Sequence, residues 1–114
     1  MIDYHKTLVT ALNKILPTYY ENFLHSGVKT PCISYIQLND TTHKQGDTVG
    51  YSRLSYQIKV WGTNLEQIQK YSLQVAETMR ILGWERTSAL ELSDPNSSMI
   101  QKVMTYDALV HEQF

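Results

Sequence analysis

The sequence predicts an α+β domain: two helices packed on a mostly antiparallel four-stranded sheet, in the order α-β-β-α-β-β. Three observations carry that expectation. Two segments, "CISYIQLND" and "YSRLSYQIKVWG", alternate apolar and polar residues with period two around a long polar stretch. Two other segments repeat apolar residues at helical spacing, and the two kinds of segment are interleaved. With 114 residues the chain has room for one core, so residues 1–114 form a single domain without internal linker or repeat.

The first helix is expected around Leu8, Leu12 and Ile15, with Val9, Ala11 and Leu16 widening the stripe and Asp3 as cap. Pro17 ends it, because a proline disfavours helical backbone at the residue before it. In "TYYENFLHSG", Tyr19, Tyr20, Phe23 and Leu24 suggest a short helical turn closed by Gly27. A strand follows Pro31, with Cys32, Ile36 and Leu38 on its apolar face and Ser34 among them. The next strand alternates more cleanly. Leu54, Tyr56, Ile58 and Val60 face one side, and Arg53, Ser55, Gln57 and Lys59 face the other. Between the two lies "NDTTHKQGDTVG", read as a long hairpin loop of about twelve residues where two would suffice.

The second helix has the strongest signals. Thr63 and Glu66 have the spacing of a capping box, and Gly83 stands where a left-handed C-terminal cap belongs. Leu65, Ile68, Ser72, Val75, Met79 and Leu82 form its stripe, with Glu66 and Lys70 as an i,i+4 pair on the far side. A strand over Thr87–Leu92, the turn "SDPNSS" and a last strand over Ile100–Val110 complete the chain. In that last strand Lys102 interrupts an otherwise apolar parity of Ile100, Met104, Tyr106, Ala108 and Val110.

Composition narrows the function classes. A net charge of -1 with scattered lysines and arginines leaves no basic footprint for nucleic acid or an anionic membrane. No stretch approaches the roughly 20 apolar residues of a membrane span. The opening "MIDYHKTLVT" has no basic start followed by an apolar run, so no secretion signal is expected. A lone cysteine excludes an internal disulfide and suits a reducing cytoplasm. Charged residues make up only 18%, so uncharged Gln, Ser, Thr and Tyr supply much of the surface, which suits contact with other protein.

The search for chemistry finds little. Cys32 shares the parity of Ile36 and Leu38 and reads as a small core hydrophobe rather than a nucleophile. Asp40, His43 and Asp47 offer ligand atoms, but their spacing matches no metal site, so no metal or other cofactor is expected. His5, His25 and His111 are far apart, and His111 and Glu112, being adjacent on a strand, point to opposite faces. Gly46 and Gly50 precede no GK[ST] and open no helix, so they are turn glycines rather than a phosphate cradle. Trp61 and Trp84, which bracket the second helix, are read as packing or interface residues.

The proline-led strand "TPCISY", the long polar stretch and "LSYQIKVWGTNLEQIQKYSLQVAETM" together form a familiar pattern. A Pro-X-Ile-X-Tyr strand precedes a Tyr-X-Ile-X-Val-Trp strand, and a small turn at Gly62-Thr63 opens the amphipathic helix. This resembles the tail terminator (tail-completion, tail-to-head joining) proteins of long-tailed bacteriophages, across nearly the whole chain in element order. Cys32 stands where that family more commonly has tyrosine or phenylalanine.

The resemblance implies a non-enzymatic virion assembly protein. It implies a homo-hexameric ring at the head-proximal end of the tail tube, formed in the host cytoplasm and retained in the virion neck. Its expected partners are the major tail tube protein and a head-completion or connector protein, with DNA passing through the channel without specific binding. Another neck or head-completion ring protein is the alternative within the class; a small metal-binding or enzymatic domain is the alternative outside it. The expected contact residues are those of the polar stretch: Asp40, Thr41, Thr42, His43, Lys44, Gln45, Gly46 and Asp47.

Overall fold

The computed structural model describes residues 4–20, 30–45, 49–93 and 99–113. Helix α1 (Tyr4–Asn13) is followed by strands β1 (Thr18–Tyr20), β2 (Cys32–Gln45) and β3 (Val49–Gly62). Helix α2 (Leu65–Ile81) then leads to β4 (Glu85–Ser93) and β5 (Ile100–Gln113). The α+β class is as expected, but the sheet is five-stranded and mixed, in the order β1-β2-β3-β5-β4. Its β1–β2 pair is parallel and every other pair is antiparallel.

The additional strand falls where a helical turn was expected. Pro17 stops further helix, and its carbonyl accepts the Ile33 amide at 2.9 Å, which draws the chain alongside β2. Thr18, Tyr19 and Tyr20, all of high β-propensity, then pair with Ile33, Ser34 and Tyr35. Phe23, Leu24 and Gly27 lie outside the described residues, as do Asp3 and the turn after Ser93.

Both helices lie on the same face of the sheet. Leu8 and Leu12 of α1, Leu16 of the turn that follows it, and Ile68, Val75 and Met79 of α2 enter the core. The sheet answers with Ile33 and Tyr35, with Tyr56, Ile58 and Val60, and with Met104 and Tyr106. The expected parity of β3 and β5 therefore holds. The parity of β2 is reversed: Ile33 and Tyr35, not Cys32 and Ile36, face the helices. Ile33 and Tyr35 lie opposite Val60 and Ile58 of β3, and a register shift between Gln37 and Asn39 then leaves Leu38 as an unpaired extra residue, half exposed. Before that bulge odd residues face the helices, and after it even residues do. Cys32 and Ser34 are buried on the opposite side, where the Trp61 indole donates to the Ser34 hydroxyl at 2.8 Å.

The α2 cap is Asn64 rather than Thr63. Its side-chain oxygen accepts the Gln67 amide at 3.2 Å, so the helix begins one residue later than the capping-box spacing implied. Leu65 is consequently exposed, while Ile68, Ser72, Val75 and Met79 form the buried stripe. At the other end Gly83 has φ 92°, the left-handed conformation expected of it, and the Trp84 amide reaches back to the Met79 carbonyl.

α1 is held against the sheet by a row of rings. His5 lies between Tyr35 and Tyr56, with ring nitrogens 3.2 Å and 3.4 Å from their hydroxyls. Tyr20 meets Tyr35 edge-on at 5.4 Å, and Trp84 meets Tyr56 edge-on at the same separation. A neutral imidazole has one donor and one acceptor, so one hydroxyl donates to His5 and the other accepts from it.

Ile58, fully buried on the central strand, tests this arrangement. Ile58→Ala should lower stability by about 2–5 kcal/mol, seen as a lower urea midpoint at unchanged slope. A loss below about 1 kcal/mol would mean that the face of β3 is misassigned.

Candidate interface

The polar stretch is not a loop. Asp40, Thr41, Thr42, His43, Lys44 and Gln45 continue β2, opposite Leu54, Arg53, Ser52, Tyr51, Gly50 and Val49 of β3. Only residues 46–48 separate the two strands, so Gly46 and Asp47 lie outside the described residues. A run this polar still forms strand because the sheet ladder satisfies its backbone groups, while threonine tolerates extended backbone well.

A third strand joins the hairpin. β5 pairs with β3 along its whole length, from Gly62↔Ile100 to Val49↔Gln113. The result is a three-stranded arm made of residues 39–45, 49–55 and 107–113. It continues about 16 Å past Leu54 and Ala108, which pack on the core, from the ~3.3 Å rise of each strand residue. The molecule is accordingly elongated, 53 × 25 × 23 Å, with a radius of gyration of 15.4 Å. A compact chain of this length would have about 13 Å.

The root of the arm carries a polar clamp between β3 and β5. Asp107 accepts the Ser55 hydroxyl at 2.7 Å through Oδ1, and the Arg53 guanidinium at 2.6 and 3.1 Å through Oδ2. Burial pushes the Asp107 carboxyl up, but the hydrogen bonds from Ser55 and Arg53 and the charge of Arg53 outweigh it, leaving the pKa lowered. Sequence reading placed Arg53 and Ser55 on the wet face but did not connect them to Asp107, because the partner lies 52 to 54 residues away.

No described helix covers the sheet face opposite α1 and α2. There Ile36, Trp61 and Val103 sit beside the more exposed Leu90 and Leu92 of the edge strand β4. On the helix side, a shallow groove runs between α2 and the strands β4 and β5. It is lined by Ser72, Leu73 and Ala76 and by Arg86, Lys102 and Met104. Lys102 breaks the apolar parity of β5 because its row opens into this groove.

Of the residues considered for catalysis or metal binding, Asp40 and His43 lie on β2 opposite Leu54 and Tyr51, and Asp47 lies outside the described residues. Among the described residues no three of His, Cys, Asp and Glu come together. Burial raises the Cys32 pKa, which disfavours the reactive thiolate. Among the described residues no helix is long and apolar enough to cross a membrane.

No protein-family model and no curated protein matches this chain. Fold and surface alone define its class: a two-layer α+β domain, with no described helix on the second sheet face, and a three-stranded arm.

Two measurements test the local chemistry. A lowered folded pKa at Asp107 contributes stability that is present above the unfolded carboxylate range, about pH 4, and lost as pH falls through the folded value. Asp107→Asn should therefore lower stability at pH 7 and narrow the gap to wild type below about pH 4. Because Arg53 is largely exposed, solvent screens its share of the effect. An equal gap at both pH values would assign the effect to shape rather than charge. Cys32→Ala should cost about 1 kcal/mol through a small cavity. The native thiol should react with a thiol reagent only as the protein unfolds, and rapid native labelling would contradict its burial.

Proposed function

We propose that this protein is a non-enzymatic assembly subunit of the tail terminator type, forming a ring that caps the head-proximal end of a phage tail tube and joins it to the head. The observation that carries this reading is the arm. Only its root, through Leu54 and Ala108, packs against the core, so its length is not needed to bury the apolar residues under the helices. It does hold the polar segment 40–45 at a fixed distance and orientation from the body, as a contact surface requires. The residue pattern described above, from the proline-led strand to the amphipathic helix, supports the same reading. So does a surface dominated by uncharged polar residues.

A ring of identical subunits uses two different patches on each copy. The arm supplies one candidate, and the exposed Leu90 and Leu92 on the sheet face opposite the helices supply another. A net charge of -1 also suits a channel along which DNA slides, since few lysine–phosphate contacts would hold it. Contacts to the tube would come from the arm segment Asp40–Gln45, with the connector on the opposite end of the ring.

The experiment shortens the arm in register. Thr42 and Ser52 are direct partners, as are Ser52 and Val110. Replacing residues 43–51 with Asn-Gly and ending the chain after Val110 preserves every pair nearer the core, including the Arg53–Asp107 clamp. The shortened protein should keep its helical circular dichroism and melt cooperatively. In negative-stain images it should leave tail tubes of the same phage uncapped and elongating, where the full chain arrests them. Normal capping by the shortened protein would remove the arm from the function. Failure of the full chain to bind tube ends would overturn the terminator reading itself.

A further inference from the structure

We propose that the arm is a sheet-addition site for a second copy of this chain: the outer edge of β5 in one copy pairs, in parallel, with the outer edge of β2 in the next. The inference deepens the ring reading above and rests on it for the rotational arrangement of copies.

β1 occupies the outer edge of β2 only at Ile33–Tyr35, and β4 occupies that of β5 only from Ile100 to Asp107. Beyond those points, among the described residues, β2 from Ile36 to Gln45 and β5 from Ala108 to Gln113 have β3 as their only strand neighbour. Each edge therefore presents backbone amides and carbonyls that no described strand takes up. Neither segment contains proline, and Lys44 is the only lysine in them, so the usual protections against edge-to-edge pairing are sparse.

Strand direction selects the partner edge. β2 and β5 are both antiparallel to β3, so both run from the core towards the tip. A rotation that carries one copy to the next, with arms side by side, sets a β5 edge against a β2 edge with both pointing the same way. Repeating that operation uses both edges of every arm and, on closure, leaves none bare. Two β2 edges could instead meet antiparallel about a two-fold axis, but each β5 edge would then stay open.

Charge agrees with the head-to-tail arrangement. The pairings Lys44↔Gly50 and Gly50↔Glu112 place Lys44 and Glu112 in one row across the arm. At level register the Glu112 of one copy meets the Lys44 of the next, an opposite-charge neighbour pair. Asp40 meets Ala108, Asn39 meets Asp107 and His43 meets His111, so no row sets two carboxylates, or two of lysine and arginine, side by side.

Within one chain β3 separates positions 44 and 112 by two strand spacings, about 9.6 Å. A disulfide needs Cα atoms closer than about 7 Å, so a cysteine pair there can only bridge copies. The test is the full-length double variant Lys44→Cys/Glu112→Cys, concentrated, mildly oxidised and run on a non-reducing gel. The expected result is a ladder of dimers, trimers and higher species ending at a closed ring, absent from either single variant. The proposal is overturned if the double variant gives no ladder and Lys44→Cys/Val110→Cys, two residues out of register, gives none either. It is also overturned if Thr42→Cys alone cross-links to a dimer more readily than the double variant forms its ladder, since that is the two-fold arrangement. Failure of the ladder in a protein that still caps tail tubes rejects the strand pairing alone. A ladder in a protein that ignores tube ends rejects the terminator reading and keeps the strand pairing.

Discussion

Because β3 is hydrogen-bonded along its whole length to β2 on one side and β5 on the other, its two-residue alternation decides which residues of three strands meet the helices. Tyr56, Ile58 and Val60 are each no more than 2% exposed. Burying such side chains is worth about 1.5–3 kcal/mol apiece. A slip of one residue would turn all three outward together and forfeit a large part of the 5–15 kcal/mol that stabilises a typical domain. The pattern LSYQIKV thus acts as the template from which the rest of the sheet takes its register.

The neighbouring strands accommodate that template by irregularity. β2 bulges at Leu38, and β4 shifts register between Arg86 and Ser88. Without the first bulge the odd residues of β2 would face the helix side throughout, which would put His43 where Lys44 now stands and reverse the faces of the whole polar segment. The bulge separates two requirements. Ile33 and Tyr35 meet the core near the start of the strand, and the arm takes its own parity near the end. Bulges also increase local twist, so the arm need not continue in the plane of the body.

The arm and the body differ in what holds them. In the body, helices exclude water from one face, and the ring row through His5 holds α1 on it. In the arm the described links are backbone pairs along β3 and the Arg53–Ser55–Asp107 clamp at the root. A sheet extension whose two edges no described strand covers is unusual in a chain meant to remain alone, since natural proteins commonly shield such edges. That is the physical reason for assigning contact rather than chemistry to this end of the molecule.

Local pattern alone determined the α+β class, the parity of β3 and β5, the buried stripe of α2, Gly83 as its cap and the burial of Cys32. Each depends on a period or a terminal residue readable within one segment. Tertiary structure decided the rest. β1 forms because Thr18–Tyr20 finds β2 beside it, whereas three residues carry no period of their own. The side of the sheet on which Cys32 is buried depends on its pairing with Trp61 of β3 and on which face the helices occupy, and neither is encoded in the alternation of β2 itself. The segment Asp40–Gln45 reads as loop because it lacks apolar residues, and an apolar period is the signal by which strands are recognised. Its strand conformation comes from hydrogen bonds to β3, which is steadied in turn by β5 more than fifty residues further along the chain.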